Sequence, residues 1–293
     1  MQLIADSGST KTSWGLAGKG SFPQYFQTEG MNPFFQSETT LQQIVANLKQ
    51  TTLKDRTIDH VFFYGAGCAF PEQIEKIRQI FLTVWPDAEV FVASDLLGAA
   101  RALCGNQAGI ACILGTGSNS CLYNGKEICE HISPLGFILG DEGSGAVLGK
   151  RLVGDCLKGL LPPDLTTRFM EEYQLTPQLL LDRVYRGPLP NRFLASFVPF
   201  LAQHLHRTEI RQIVLLCFRD FFLRNIKSYT GYRELPIHFT GSVAYYFQEI
   251  LAEAAQSEGL QLGNIQKEPM EGLLRYHATH SSEISAYDIQ KNN

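Results

Sequence analysis

The sequence predicts an α/β protein, and three observations carry that expectation. Short apolar runs of buried-strand type alternate with longer stretches of helical spacing as far as Leu114. Two strand pairs bracket turns built largely from small residues, Asp6-Ser7-Gly8-Ser9-Thr10-Lys11 and Gly115-Thr116-Gly117-Ser118. Each turn opens a similar succession of strand, glycine turn, strand and a further Gly step, so the chain echoes itself.

The elements follow in order. Residues 1–5 and 12–16 are expected as strands flanking the first turn, with a Gly18-Lys19-Gly20 turn and a third strand behind them. Residues 41–48 and 73–84 carry helical spacing, while 61–64 and 90–93 are short runs that fit buried strands. Residues 96–103 read as a helix and 110–114 as another buried strand. The second copy continues through Asn124-Gly125-Lys126, a strand and Leu135-Gly136. From 143 onward the chain is mostly helical, with a late strand at 237–240. Glycine turns between strands also arise without duplication, so both readings of the echo stay open.

A chain of 293 residues is long enough for two cores. Its 29 acidic and 25 basic residues give a net charge of −4, without a basic run, which disfavours nucleic acid as a partner. No segment reaches the roughly 20 apolar residues that cross a bilayer, and the start lacks a basic leader pattern. Seven scattered cysteines, none in C-x-x-C spacing, read as reduced core thiols and hence a cytoplasmic protein.

Several motifs could carry chemistry. A tight turn of Gly, Ser and Thr leaves backbone N–H groups aimed one way and lets a phosphate approach closely. Residues 6–12 and 114–119 both fit, and neither is a Walker A loop; each could equally be a plain hairpin. Asp6, at the end of a strand, would either close an Asx turn or orient waters on Mg²⁺. Asp95 would either cap the helix that starts at Leu96 or, at the carboxyl edge of a sheet, accept a hydroxyl proton during phosphoryl transfer. Gly140-Asp141-Glu142-Gly143-Ser144 sets two acids among glycines, either as helix-start acids or as acceptors for a polyhydroxylated ligand. Thr240-Gly241-Ser242 is a βα turn that would also allow a flat ligand close to the backbone.

Taken together, these residues resemble the N-acetylglucosamine kinases and the related BadF/BadG/BcrA/BcrD-type ATPases, within the superfamily of actin, sugar kinases and heat-shock chaperones. The resemblance is collinear over nearly the whole chain. Residues 6–12 and 114–119 look like the two phosphate motifs, and Ser94-Asp95 opens a segment similar to the first connecting helix. Residues 240–244 are similar to the adenosine motif, and Glu271-Gly272-Leu273-Leu274 to the second connecting segment. Gly30-Met31-Asn32-Pro33 resembles the sugar-contacting loop, and the Gly-Asp-Glu-Gly-Ser run is the most specific match. The first motif departs from the family's usual Gly-Gly-Gly by reading Ser-Gly-Ser.

The resemblance implies a two-lobed actin-like (ribonuclease H-like) α/β fold, with duplicated mixed-sheet domains around a cleft. Residues 1–111, rejoined by 272–293, would form the first domain and 112–271 the second. Asp95 would be the catalytic base. The sugar would lie on Asn32, Thr116, Gly117, Asp141 and Glu142. ATP would lie on Gly8, Ser9, Thr10, Lys11, Gly117, Ser118, Asn119, Gly241 and Ser242, with Mg²⁺ held through water by Asp6.

The implied reaction is ATP-dependent phosphorylation of a free amino sugar at its 6-hydroxyl, N-acetylglucosamine first. N-acetylmuramic acid and glucosamine are alternatives within the class, and the muramic carboxylate would need a cation such as Lys150 or Arg151. A different class is an ATPase switch of the dehydratase-activator type, against which the missing cluster-binding cysteine pair counts. A homodimer is left open, and no membrane partner is expected.

Overall fold

The structure is a computed structural model that describes residues 1–279 apart from Ser9, Lys19 and Ser21. It divides into two compact units, Met1–Asn106 with the described residues from Pro269 onward, and Gln107–Glu268. These limits fall a few residues from the expected 111/112 and 271/272, because the strand that begins the second unit starts at Ala108 and the last helix at Met270.

The first unit contains β1 (Gln2–Ser7), β2 (Lys11–Ala17), β3 (Gln24–Glu29), α1 (Glu38–Gln50), β4 (His60–Gly65), α2 (Pro71–Val84), β5 (Glu89–Ser94) and α3 (Asp95–Cys104). Its sheet runs β3-β2-β1-β4-β5. β1 pairs antiparallel with β2 and parallel with β4, and β4 parallel with β5. The central strands carry continuous apolar runs, 3–5 in β1 and 61–64 in β4, because both faces are covered. Leu3, Ala5, Val61, Phe63, Val90 and Val92 point to one face, where they meet Leu41, Val45 and Leu48 of α1 and Ile77, Ile80 and Phe81 of α2. The alternate residues Ile4, Phe62, Tyr64, Phe91 and Ala93 point to the other face, toward α3 and the last helix. Each such side chain contributes roughly 1.5–3 kcal/mol by leaving water, so a register slip of one residue on β4 would be heavily penalised.

The second unit contains β6 (Ala108–Leu114), β7 (Ser118–Asn124), β8 (Ile128–His131), α4 (Gly136–Leu139), α5 (Gly145–Leu157), α6 (Pro163–Glu172), α7 (Pro177–Tyr185), α8 (Pro190–Ala195), α9 (Val198–Gln203), α10 (Thr208–Arg224), β9 (Ile237–Thr240), α11 (Ser242–Tyr246), α12 (Gln248–Ser257) and β10 (Leu262–Gln266). The final helix, α13 (Met270–Thr279), belongs to the first unit. The second sheet runs β10-β9-β6-β7-β8. β6 pairs antiparallel with β7, β7 antiparallel with β8, β6 parallel with β9, and β9 parallel with β10.

Strand for strand, both sheets have the same order and the same senses. The duplication reading of the echo is therefore the correct one at the level of topology. The copies differ between their third and fourth strands, where the second inserts seven helices, α4 to α10. These bury Leu148, Leu152, Phe169, Phe197, Phe200, Phe218, Phe221 and Phe222 against Ile110, Cys112, Leu114 and Phe239. Among the described residues all seven cysteines are free thiols; six are buried and Cys129 is exposed. No described helix is long and apolar enough to cross a membrane.

Candidate active site

β1 ends at Ser7, and the first small-residue turn reverses the chain into β2. Ser7 fixes that turn. Its hydroxyl lies 2.8 Å from Thr12 Oγ1, accepts the Met31 N–H at 3.0 Å and faces the Met31 carbonyl at 3.2 Å. Gly8 N–H donates to the Lys11 carbonyl, and Gly30 N–H to that of Thr10, each at 3.0 Å. The turn is thereby tied to the Gly30–Asn32 loop, two of the sequence motifs in one place. Thr10 and Lys11 are exposed, and Asp6 is half-buried at the end of β1. Ser9, expected on ATP, lies outside the described residues.

Asn32 is buried and shapes its own loop. Its N–H donates to Gln36 Oε1 at 2.7 Å and its Oδ1 accepts the Phe34 N–H at 3.0 Å. Gly67 lies against it at φ +89°, where a Cβ would come within 2.6 Å of Oδ1. Asn32 therefore joins the first site through a side chain already committed to the loop, and Gly67 is a partner the sequence reading missed.

At Asp95 the structure separates the two roles that the sequence left open. The cap of α3 is Ser94, in extended backbone, its hydroxyl accepting the Leu97 N–H at 3.2 Å. Asp95 is the first helical residue, and its Oδ1 accepts the adjacent Leu96 N–H at 2.9 Å. Burial pushes its carboxyl up to about 6, partly countered by that hydrogen bond. Cys68 lies close enough to feel this charge: burial first, then Asp95, raises its thiol to about 12.

A buried platform holds α3. Gly98 rests on the Tyr64 ring, where a Cβ would approach to 2.8 Å. The Tyr64 hydroxyl accepts from Arg101 Nη1 at 2.8 Å and lies 2.9 Å from His277 Nε2. Burial drives the Tyr64 hydroxyl to about 12, so it stays protonated and can bridge Arg101 and His277. Gly272 of α13 sits against the Ala102 carbonyl, with room for no side chain at 2.3 Å. Residues 271–274, expected to form the second connecting segment, thus pack on the helix that begins with Asp95.

In the second unit, residues 115–117 close the β6–β7 hairpin, with Gly115 N–H donating to the Gly117 carbonyl at 2.9 Å. The first turn of α5 donates into the same loop, Gly145 N–H to the Gly115 carbonyl at 2.8 Å and Ala146 N–H to that of Thr116 at 3.0 Å. Ser118 N–H donates to Asp141 Oδ1 at 3.2 Å, so this amide binds the acid and is not a phosphate donor. Thr116 is exposed and Gly117 half-buried, and among the described residues nothing accepts from their N–H groups. Replacing Gly117 by any residue with a Cβ would crowd Asp141 Oδ2 at 3.3 Å.

Asp141 is in the left-handed region at φ +55°, a conformation uncommon for an aspartate and held by its neighbours. Its N–H donates to the Pro134 carbonyl at 2.8 Å and its carbonyl accepts from Ser144 at 3.0 Å. Gly140 is required beside it, since a Cβ there would stand 2.2 Å from the Pro134 carbonyl. Burial raises the Asp141 carboxyl above the usual range, Ser118 N–H lowers it, Glu142 raises it and Lys150 lowers it. Glu142 pairs with Arg224 at 3.4 Å and takes Asn225 Nδ2 at 3.4 Å. Neither partner was visible in the sequence, because the end of α10 is more than 80 residues downstream.

The two cations considered for a muramic carboxylate are both engaged. Lys150 donates to the Phe137 carbonyl at 2.7 Å, and Arg151 pairs with Asp220. The Gly136–Gly145 stretch contains the one-turn helix α4.

Gly241, at φ +115°, is pressed onto the end of β6, where a Cβ would meet the Leu114 carbonyl at 2.2 Å. The adenosine-like turn and the second phosphate-like turn are therefore neighbours, with Ser242 opening α11. Among the described residues no group of three or more His, Cys, Asp or Glu gathers to hold a metal.

No protein-family model matches the chain, and no curated protein matches it. Solved structures do. The "Putative N-acetylglucosamine Kinase" of Porphyromonas gingivalis is 47% identical, with a TM-score of 0.90 over 96% of this chain and 100% of the other. Its namesake from Chromobacterium violaceum is 20% identical, with a TM-score of 0.73 over 94% and 98% of the two chains. A ROK family glucokinase from Streptomyces griseus, in complex with glucose and AMPPNP, is 12% identical at TM-score 0.57 over 94% and 98%, a likeness of fold alone. With its duplicated sheets and this level of identity over nearly all of both chains, the protein belongs to the N-acetylglucosamine kinase-like family of actin-like sugar kinases.

Proposed function

We propose that the protein transfers the γ-phosphoryl group of ATP to the 6-hydroxyl of a free N-acylamino sugar, N-acetylglucosamine in preference to glucose or N-acetylmuramic acid, in the cytoplasm. The observation that carries this reading is Asp95. It stands at the carboxyl end of β5, in the parallel part of a mixed sheet, relieved of capping by Ser94, with its carboxyl pushed up to about 6. A base with that value is ionised at neutral pH yet basic enough to take a proton from a hydroxyl as it attacks phosphorus.

In this account the sugar binds Asn32, Thr116, Gly117, Asp141 and Glu142. Carboxylates accept hydrogen bonds from ring hydroxyls, and Arg224 and Asn225 hold Glu142 in place for that work. ATP binds Gly8, Ser9, Thr10, Lys11, Gly117, Ser118, Asn119, Gly241 and Ser242; Ser118 would act through its side chain, since its amide binds Asp141. Mg²⁺ bound with the nucleotide would neutralise charge on the β- and γ-phosphates, and Asp6 would orient its waters. Asp95 accepts the 6-hydroxyl proton while the oxygen–phosphorus bond forms and the bond to the ADP oxygen breaks. Positioning and charge stabilisation supply most of the acceleration.

Asp141 and Glu142 would repel the lactyl carboxylate of a muramic sugar. Arg151 is already paired with Asp220, and Lys150, whose charge already acts on Asp141, would have to offset both acids alone. Steady-state kcat/KM for N-acetylglucosamine, glucosamine, glucose and N-acetylmuramic acid tests the reading. N-acetylglucosamine should rank first, and a higher value for the muramic sugar or for glucose would overturn the proposed specificity.

A further inference from the structure

We propose that His131 is a positioning residue that fixes the Asn119 side chain with its amide nitrogen presented to an oxygen of a bound ligand. The inference rests on the reading of residues 114–119 as a nucleotide-binding turn, and it adds a residue that neither the sequence motifs nor that reading assigned.

The geometry identifies each atom. Asn119 Oδ1 accepts the backbone N–H of Ser120 at 3.0 Å. A backbone amide can only donate, so this atom is the oxygen. The same oxygen lies 2.9 Å from His131 Nε2. Nε2 must therefore carry the hydrogen. Partial burial of the ring holds the imidazole below its ordinary range, which favours the neutral form. With Oδ1 occupied twice, the chemistry left to Asn119 is Nδ2, a donor of two hydrogens. Among the described residues nothing accepts from it.

The topology explains why His131 can do this. Cys121 of β7 stands opposite His131 at the end of β8. Asn119, two residues before Cys121 on the same face, projects past the end of β8, where only the terminal side chain can reach it. Without His131 a single hydrogen bond, from Ser120 N–H, would hold the amide against rotation. Its oxygen would then face the ligand part of the time and repel a phosphate oxygen that the nitrogen would otherwise bind. An oxygen acceptor is the shared requirement, met by a nucleotide phosphate or by a sugar hydroxyl, and the two Michaelis constants separate these sources.

The test compares Asn119→Ala, His131→Leu and His131→Gln, with KM measured separately for ATP and for sugar and melting midpoints as a control for folding. His131 is exposed, so folding should be unaffected. Gln can place an Nε2–H where the imidazole had one. Asn119→Ala and His131→Leu should raise the same KM about 3- to 10-fold, the range of one neutral hydrogen bond, and His131→Gln should restore it. A rise confined to ATP assigns the phosphate, and one confined to sugar assigns the hydroxyl. If Asn119→Ala raises a KM but His131→Leu does not, or if Gln performs no better than Leu, the positioning role is wrong. If Asn119→Ala changes neither constant, the ligand-binding reading of the turn fails and this inference falls with it.

Discussion

Replacing Asp95 by Asn should remove catalysis while making the protein more stable at alkaline pH. The carboxyl goes from the 3.8 of an ordinary aspartate to about 6 in the fold, chiefly because burial penalises its charged form. The sign follows directly. With the folded value raised, protonated Asp95 carries no penalty below pH 4; the penalty grows as pH rises and is complete once pH passes 6. At roughly 1.4 kcal/mol per unit the full cost is about 3 kcal/mol, and partial solvent access at the helix edge reduces it to about 1–3 kcal/mol. Asn keeps the Leu96 N–H bond through its own Oδ1 and carries no charge. Asp95→Asn should therefore melt about 2–6 °C higher than the parent at pH 8 and within about 1 °C of it at pH 4. Loss of the base should lower kcat by about 10²- to 10⁴-fold with little change in either KM, and parent kcat/KM should rise through an apparent pKa near 6. Thermal melts across that pH range and steady-state kinetics give both readings. Equal melting shifts at pH 4 and pH 8 would refute the burial argument, and near-parental turnover would remove Asp95 from the base role.

Ser94→Ala removes the cap of α3 and should cost about 1 kcal/mol in urea unfolding, with a fall in kcat because the cap sets the first helical turn and hence Asp95; unchanged kcat would mean that the turn holds without it. Gly241→Ala sets a Cβ 2.2 Å from the Leu114 carbonyl at φ +115° and should destabilise the chain by at least about 2 kcal/mol, or prevent soluble expression; a parental melting curve would contradict that geometry. Glu142→Gln weakens the tie to Arg224 and should raise KM for sugar several-fold while KM for ATP holds, whereas a rise confined to ATP would move Glu142 to the nucleotide.

Much of the fold was legible in the sequence because the buried strands carry their signal locally. Residues 61–64 are an unbroken apolar run and 237–240 an apolar or β-branched run broken only by His238, and both are strands. β10 was missed for the opposite reason. Leu262-Gly263-Asn264-Ile265-Gln266 has one strong strand former, Ile265, and its register shifts between Leu262 and Ile265. α4 is a single turn whose Phe137, Ile138 and Leu139 are mostly exposed, so no helical periodicity marks it.

The site follows the same rule. Its loops were visible as small-residue motifs, since glycine at Gly140 and Gly241 is forced by carbonyls 2.2 Å from a would-be Cβ. What supports them was not visible. Ser7 to Met31, Tyr64 to His277 and Glu142 to Arg224 are bonds across 24, 213 and 82 residues, and nothing in local spacing announces them. The cap could not be placed from sequence: Ser94 and Asp95 are both good caps, and only backbone geometry shows which residue is outside the helix.

The central claim is sugar-dependent phosphoryl transfer, and product identification tests it most directly. Purified protein with ATP, Mg²⁺ and N-acetylglucosamine should form ADP and one sugar phosphate in equal amounts, with the phosphorus coupled to the C6 protons in a ³¹P–¹H correlation spectrum. ADP released at the same rate without sugar, or a phosphate on any other carbon, would contradict the account.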